Sequence, residues 1–167
     1  MKTNVIALLP LIHALWSPAF PSTTAETIHG VAERVTDSDT FTLATDDGQR
    51  RIVRLNQIDA PELAQRFGPE ARNQLRSRLT GKPLRVQTVT LDRYGRTVAS
   101  VWIADSDVSL EMLAAGLAWV NRRFTFADAY GLAESSARNR RIGLWRDPTP
   151  SPPWLYRLWK RKPDRAQ

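Results

Sequence analysis

The 167-residue chain contains no cysteine and only two histidines. Without thiols it has no disulfide staples, no thiolate nucleophile, no cysteine-bound zinc and no lipidated cysteine. His13 falls in an apolar N-terminal stretch, which leaves His29 as the single imidazole of a folded domain. A mechanism needing two imidazoles in one subunit, or a transition metal on a histidine cluster, is therefore excluded. The expected general base is a carboxylate. The chain also lacks an apolar run of the roughly 20 residues needed to cross a bilayer. The longest, Val5 to Trp16, is shorter and is interrupted by Pro10.

That stretch has the order of an export signal. Lys2 supplies a positive start, the apolar run follows, and small residues offer cleavage after Ala19 (Ser17 at −3) or after Ala25 (Thr23 at −3). The expectation is residues 1–25 as a signal peptide and an exported protein, periplasmic or extracellular, with no stable membrane anchor after processing. The composition, 42% hydrophobic and 25% charged, suits one globular domain over 26–154, followed by a basic tail over 155–167. A monomer is the default. The 24 basic residues outnumber 17 acidic ones, giving a charge of +7, which favours a polyanionic partner such as nucleic acid or an anionic membrane surface.

From Ile28 onward the pattern is strand-rich. Thr40 to Leu43 alternates polar and apolar, Asp46-Asp47-Gly48-Gln49 marks a turn, and Ile52 to Leu55 resumes a strand. Leu84 to Val89 and Thr97 to Ile103 form a second such pair around Asp92-Arg93-Tyr94-Gly95. Three helices are expected. The first has Pro69 at N1, apolar Ala71, Leu75 and Leu79, and Gly81 as its stop. The second has Ser109 as N-cap, with Val108 and Leu113 as a staple, and ends at Gly116. The third opens at Thr125 to Asp128 and carries Tyr130, Ala133 and Ala137 on one face. Short strands with helices between and after them point to an α+β fold, mainly a β barrel: five strands in the oligonucleotide-binding (OB-fold) manner with three packed helices.

Carboxylates and arginines gather at strand ends. Asp37 and Asp39 precede the second strand, Arg54 lies in the third, Asp59 and Glu62 follow it, and Arg96 follows the second turn. A turn at Asp47-Gly48 without a bulge would pair Asp39 with Asn56 and Phe41 with Arg54. Asp39 and Arg54 would then share a face, and a one-residue change in the loop would reverse this. A hard cation such as calcium takes carboxylate, carbonyl and water oxygens. Planar guanidinium forks suit a phosphodiester, and a carboxylate clear of the metal can deprotonate water. The alternative is a surface network of ion pairs with little energetic weight.

Seven segments in order extend this reading: DSDTFTL (37–43), VRLNQIDAPE (53–62), FGPEA (67–71), DRYGR (92–96), GLAWV (116–120), AESSAR (133–138) and GLW (143–145). Together they resemble the staphylococcal nuclease (thermonuclease) family over nearly all of Ile28 to Trp154. The resemblance implies an OB-fold barrel with three helices and calcium-dependent hydrolysis of DNA and RNA at the 5′ side of the phosphodiester, leaving 3′-phosphates. It implies Asp39 and Asp59 as calcium carboxylates, the carbonyl of Ala60 as a further ligand, and Thr40 and Asp37 as supports. Glu62 is similar to the family's general base, Arg54 and Arg96 to its phosphate clamps, and Tyr94 to a residue lining the nucleotide pocket. The chain departs from the family pattern at Ser38 and Gln57, where glycine is common, and at Asn121 and Phe124, where tyrosine is usual; Arg122 is then a candidate phosphate contact. A module that keeps the fold and only binds nucleic acid or protein is the alternative. The retained carboxylates oppose it, because they repel a polyanion unless a cation bridges them.

Overall fold

The computed structural model describes residues 26–122 and 128–161. The proposed signal segment, Phe124, and the Thr125 to Ala127 part of the third helix's start lie outside the described residues. Five strands, β1 (Thr27–Val35), β2 (Thr40–Thr45), β3 (Arg50–Leu55), β5 (Pro83–Leu91) and β6 (Thr97–Ile103), make the barrel. The intervening β4 (Ile58–Asp59) and helix α1 (Gly68–Leu79) lie between its third and fourth strands. The chain continues through β7 (Ser106–Asp107), α2 (Val108–Ala114), β8 (Trp119–Val120), α3 (Asp128–Asn139), a 3-10 turn (Gly143–Arg146) and α4 (Pro153–Lys160).

Antiparallel pairing runs β3-β2-β1-β5-β6, and a parallel pairing of β3 with β6 closes the ring. Closure leaves no barrel strand as an open edge. Period-2 alternation sends Phe41, Leu43, Val53, Leu55, Val86, Ala99 and Val101 inward, and all are fully buried. On α1 the expected Ala71, Leu75 and Leu79 stripe is buried, with Pro69 in the first turn. Among the described residues no helix is long and apolar enough to cross a membrane.

Three local expectations are corrected. First, β2 and β3 pair as Thr40↔Arg54 and Phe41↔Val53, one residue from the bulge-free register. The loop is three residues long. Thr45 N–H donates to the Gln49 carbonyl, and Gly48 sits at φ 82, the left-handed position such loops require. Second, the N-cap of α2 is Asp107, whose carboxylate accepts the Leu110 N–H; the Ser109 hydroxyl donates instead to the Asn56 carbonyl. Third, a fourth helix, α4, adds to the three expected and runs from the end of the domain into the 155–167 stretch. Pro153 opens it, a position where the missing N–H is harmless.

Trp119 meets Trp145 edge-on at 5.3 Å and Trp154 at 6.3 Å, so these rings pack the C-terminal elements onto the barrel.

Candidate active site

Asp39 is the last residue before β2, outside the strand's alternation, and its carbonyl accepts the Leu55 N–H. Its side chain, at the strand's end, nonetheless reaches Arg54. The Nη2 of Arg54 lies 2.9 Å from Asp39 Oδ2 and 3.1 Å from Asp59 Oδ1, so one nitrogen bridges the two carboxylates. Thr40 Oγ1 donates to Asp39 Oδ1 at 2.8 Å and accepts from Arg96 Nη1 at 3.3 Å. Asp39, Arg54, Asp59, Thr40 and Arg96 thus form one connected cluster at the starts of β2 and β6 and on β3 and β4.

Glu62 joins the cluster from the loop before α1. Its backbone is fixed: its N–H donates to Gln65 Oε1, its carbonyl accepts the Gln65 N–H, and Gly68 packs against that carbonyl. A Cβ at Gly68 would come within 2.0 Å of the Glu62 oxygen, so glycine is required there by space. The Glu62 carboxylate reaches the cluster through Arg157 of α4. This guanidinium lies 2.6 Å from Glu62 Oε1 and 2.6 Å from Asp59 Oδ2. Arg157 was not anticipated from sequence; its partners stand 95 and 98 residues away.

Asp39, Arg54, Glu62, Arg96 and Arg157 line one cleft of about 790 Å3, together with Asp37, Leu91, Tyr94 and Arg161, whereas Thr40 and Asp59 are buried and not on its lining. Tyr94 is exposed at the tip of the β5–β6 turn, with Arg93 and Arg96 against its ring. Asp37 is half-buried and receives the Ser38 N–H at 2.8 Å. Ala60, buried, follows Asp59 directly. Arg122 does not join the cluster: it pairs with the buried Glu134 at 3.1 Å and is absent from the cleft lining. Asn121, its neighbour, is on that lining.

The electrostatics are those of crowded anions. Burial pushes the Asp59 carboxyl above its ordinary range, against Arg157 and Arg54, and the Asp39 charge adds to the rise. Asp37 is raised by burial first, then by Asp39 and Glu62, with Ser38 N–H and Arg96 opposing. A hard cation beside Asp39 and Asp59 would relieve this crowding. The donors present are oxygens, with no sulfur or imidazole among them, which fits calcium or magnesium chemistry. Among the described residues no group of three or more His, Cys, Asp or Glu is placed to hold a metal ion. Carbonyl and water oxygens would have to complete a coordination shell, as they commonly do for calcium.

The two glycine departures have separate outcomes. Ser38 is accommodated: it is buried and its hydroxyl donates to the Gly68 carbonyl at 3.0 Å, tying the Asp39 turn to the start of α1. Gln57 sits at φ 68, in the left-handed region that glycine enters without strain.

The chain is similar to known proteins. The family described as Staphylococcal nuclease homologue matches residues 52–147. An uncharacterized endonuclease of Escherichia coli O157:H7 is 34% identical over 151 residues, covering 89% of this chain and 95% of the relative. An uncharacterized endonuclease of Haemophilus influenzae is 35% identical over 124 residues, 74% of this chain and 70% of that one. A micrococcal nuclease of Shigella flexneri is 34% identical over 140 residues, 77% and 79% of the two chains.

Proposed function

The chain belongs to the staphylococcal nuclease family, and from that premise we propose that it is an exported, calcium-dependent phosphodiesterase acting on DNA and RNA. A nuclease-like function follows from the family and from the names of its relatives. The supporting observation for the finer reading is the single Arg54 nitrogen that bridges Asp39 and Asp59, in one cleft with Arg96 and Glu62.

In this reading Asp39, Asp59 and the Ala60 carbonyl hold the cation, with Thr40 fixing the Asp39 carboxylate through its hydroxyl. When bound, calcium supplies positive charge against the phosphoryl oxygens and offsets the repulsion between carboxylates and substrate. Glu62 takes a proton from the attacking water at its carboxylate oxygen. Arg54 and Arg96 give bidentate hydrogen bonds to the phosphate as negative charge builds in the pentacoordinate transition state. The bond to the 5′ oxygen breaks, leaving a 3′-phosphate. Tyr94, exposed beside Arg96, offers an aromatic face to the neighbouring base. Asp37 lines the cleft beside the cation ligands and supports them electrostatically.

Export is part of the proposal, motivated by Lys2, the Val5 to Trp16 run and the small residues after it. The deciding experiment is incubation of the purified protein with single-stranded DNA and with RNA, with calcium or with a chelator. Cleavage with calcium and none with chelator is expected. Intact substrate under both conditions, with retained nucleic-acid binding, would establish a binding module instead.

A further inference from the structure

Arg157 has no role in the reaction as drawn, yet it makes three contacts with two carboxylates of the site. Its Nη2 lies 2.6 Å from Asp59 Oδ2 and its Nη1 lies 3.3 Å from Asp59 Oδ1. The same Nη1 lies 2.6 Å from Glu62 Oε1. One fork thus spans both oxygens of a proposed cation ligand and one oxygen of the proposed base. Arg54 takes a further share of Asp59 Oδ1 at 3.1 Å. A carboxylate offers about four lone-pair directions, and three N–H contacts already fall on Asp59. A divalent ion and the Arg157 fork compete for those oxygens, because they would be like charges at contact distance.

The helix that carries Arg157 is held by one side only. Pro153, Tyr156 and Arg157 turn toward the protein, Trp154 meets Trp119 edge-on, and Gln65 Nε2 donates to the Ser151 carbonyl at 2.6 Å. Leu155, Leu158 and Trp159 form the opposite, exposed stripe. The Arg157 side chain itself is 38% exposed, so solvent moderates its ion pairs. An element docked through one face and a half-exposed ion pair opens at lower free energy than the barrel.

We infer that Arg157 is a built-in counter-cation. It holds Asp59 and Glu62 together until a divalent ion displaces it, so cation binding competes with the docking of α4. The inference rests on the reading of Asp59 as a cation ligand. It accounts for a buried anionic cluster that is electrically tolerable before the ion arrives. It also supplies a latch that keeps the proposed base engaged while the ion is absent.

Two measurements on the full chain test it. Calcium affinity is measured by titration calorimetry, without nucleic acid, for the wild type, Arg157→Gln and Arg157→Lys. Removing the competing charge should tighten calcium binding by about 10- to 100-fold in Arg157→Gln, the leverage of a charge-assisted hydrogen bond. Arg157→Lys should fall between, because the charge remains and the fork is lost. Hydrogen exchange of the α4 amides in the wild type, which needs no variant to fold, should accelerate when calcium is added. Equal or weaker calcium affinity in Arg157→Gln, or α4 protection that calcium leaves unchanged or increases, overturns the latch while the calcium reading stands. Absence of calcium binding in all three proteins overturns the calcium reading, and the latch with it.

Discussion

Arg96 is aimed by Asp92, four residues before it. The Nε of Arg96 donates to Asp92 Oδ2 at 2.7 Å, and Asp92 Oδ1 accepts the backbone N–H groups of Tyr94 and Arg96. The turn and the guanidinium are thereby oriented by one carboxylate. Arg96→Lys keeps the charge and loses the fork, so turnover should drop by about 10²–10³-fold, as when one oxyanion donor is removed. Steady-state kinetics on a defined oligonucleotide checks this; equal rates for the two proteins would remove Arg96 from the clamp.

Asp92 itself has a signed pH consequence. Burial acts most strongly on its carboxyl and pushes it up, but the Arg96 guanidinium and the two N–H donors together hold it below its ordinary 3.8. A carboxyl depressed on folding contributes stability that is fully present above its unfolded pKa and is lost as pH falls through the folded value. Asp92→Asn should therefore lose about 1 kcal/mol near neutrality. Its stability should also fall less steeply than the wild type's below about pH 4. Urea denaturation across an acidic pH series reads both effects, and parallel curves would dismiss the coupling.

Glu62→Gln preserves shape and removes basicity. Turnover should decline by about 10²–10⁴-fold, the range of a positioned general base. In the wild type the rate should climb from neutral to alkaline pH, as water becomes easier to deprotonate. A flat wild-type profile, or near-native turnover in Glu62→Gln, would count against Glu62.

At Gln57 the backbone, rather than the side chain, makes the prediction. A non-glycine residue at φ 68 carries roughly 1–2 kcal/mol of strain, and glycine gives back part of the gain through unfolded-state entropy. Gln57→Gly should stabilise the protein by about 0.5–1 kcal/mol, a rise of about 2–4 °C or less in Tm. Gln57→Ala should give no such rise, since alanine retains the clash. A calorimetric scan of both variants separates conformational strain from side-chain chemistry.

Glu134 and Arg122 form an unequal pair. Glu134 is buried and accepts the Val120 N–H at 3.1 Å, besides its contacts with Arg122 and Arg138. Glu134→Ala leaves that N–H and both guanidinium groups without their acceptor, at a cost of about 3 kcal/mol. The Arg122 side chain is 75% exposed, so Arg122→Ala should cost less than about 1 kcal/mol. It should also leave oligonucleotide affinity unchanged; a weakened affinity would restore Arg122 as a phosphate contact.

Much of the barrel was legible because burial imposes a two-residue period. Phe41 and Leu43, or Val53 and Leu55, announce an inner face without reference to any distant residue. Loop length was less legible. The left-handed Gly48 turns an expected two-residue hairpin into a three-residue one and shifts every partner by one. The α2 cap was misassigned because Ser109 and Asp107 both have capping side chains. Asp107 is favoured by a contact far along the chain, its second oxygen accepting the Tyr130 hydroxyl at 2.6 Å.

In the site, the motif residues Asp39, Arg54, Asp59, Glu62 and Arg96 were recognisable, whereas Arg157 was not. Its helix begins in a proline-rich stretch that reads as extended, although proline at a first helical position was the available clue. The inward side of α4 sets Arg157 beside Pro153 and Tyr156, while its regularly spaced Leu155, Leu158 and Trp159 face solvent, so the apolar spacing does not point to the arginine. Only the folded positions of Asp59 and Glu62 explain it.

The parallel seam between β3 and β6 joins Val53 to Thr97, Arg54 to Val98 and Leu55 to Ala99. Both arginines of the proposed clamp hang from this one seam, Arg54 within it and Arg96 at its threshold. Their spacing is consequently a backbone dimension, fixed by ladder geometry rather than by the rotamers of two long side chains. Grip on a phosphate and integrity of the barrel should be lost in the same cooperative event, so heating ought to abolish catalysis at the global melting transition and not before it.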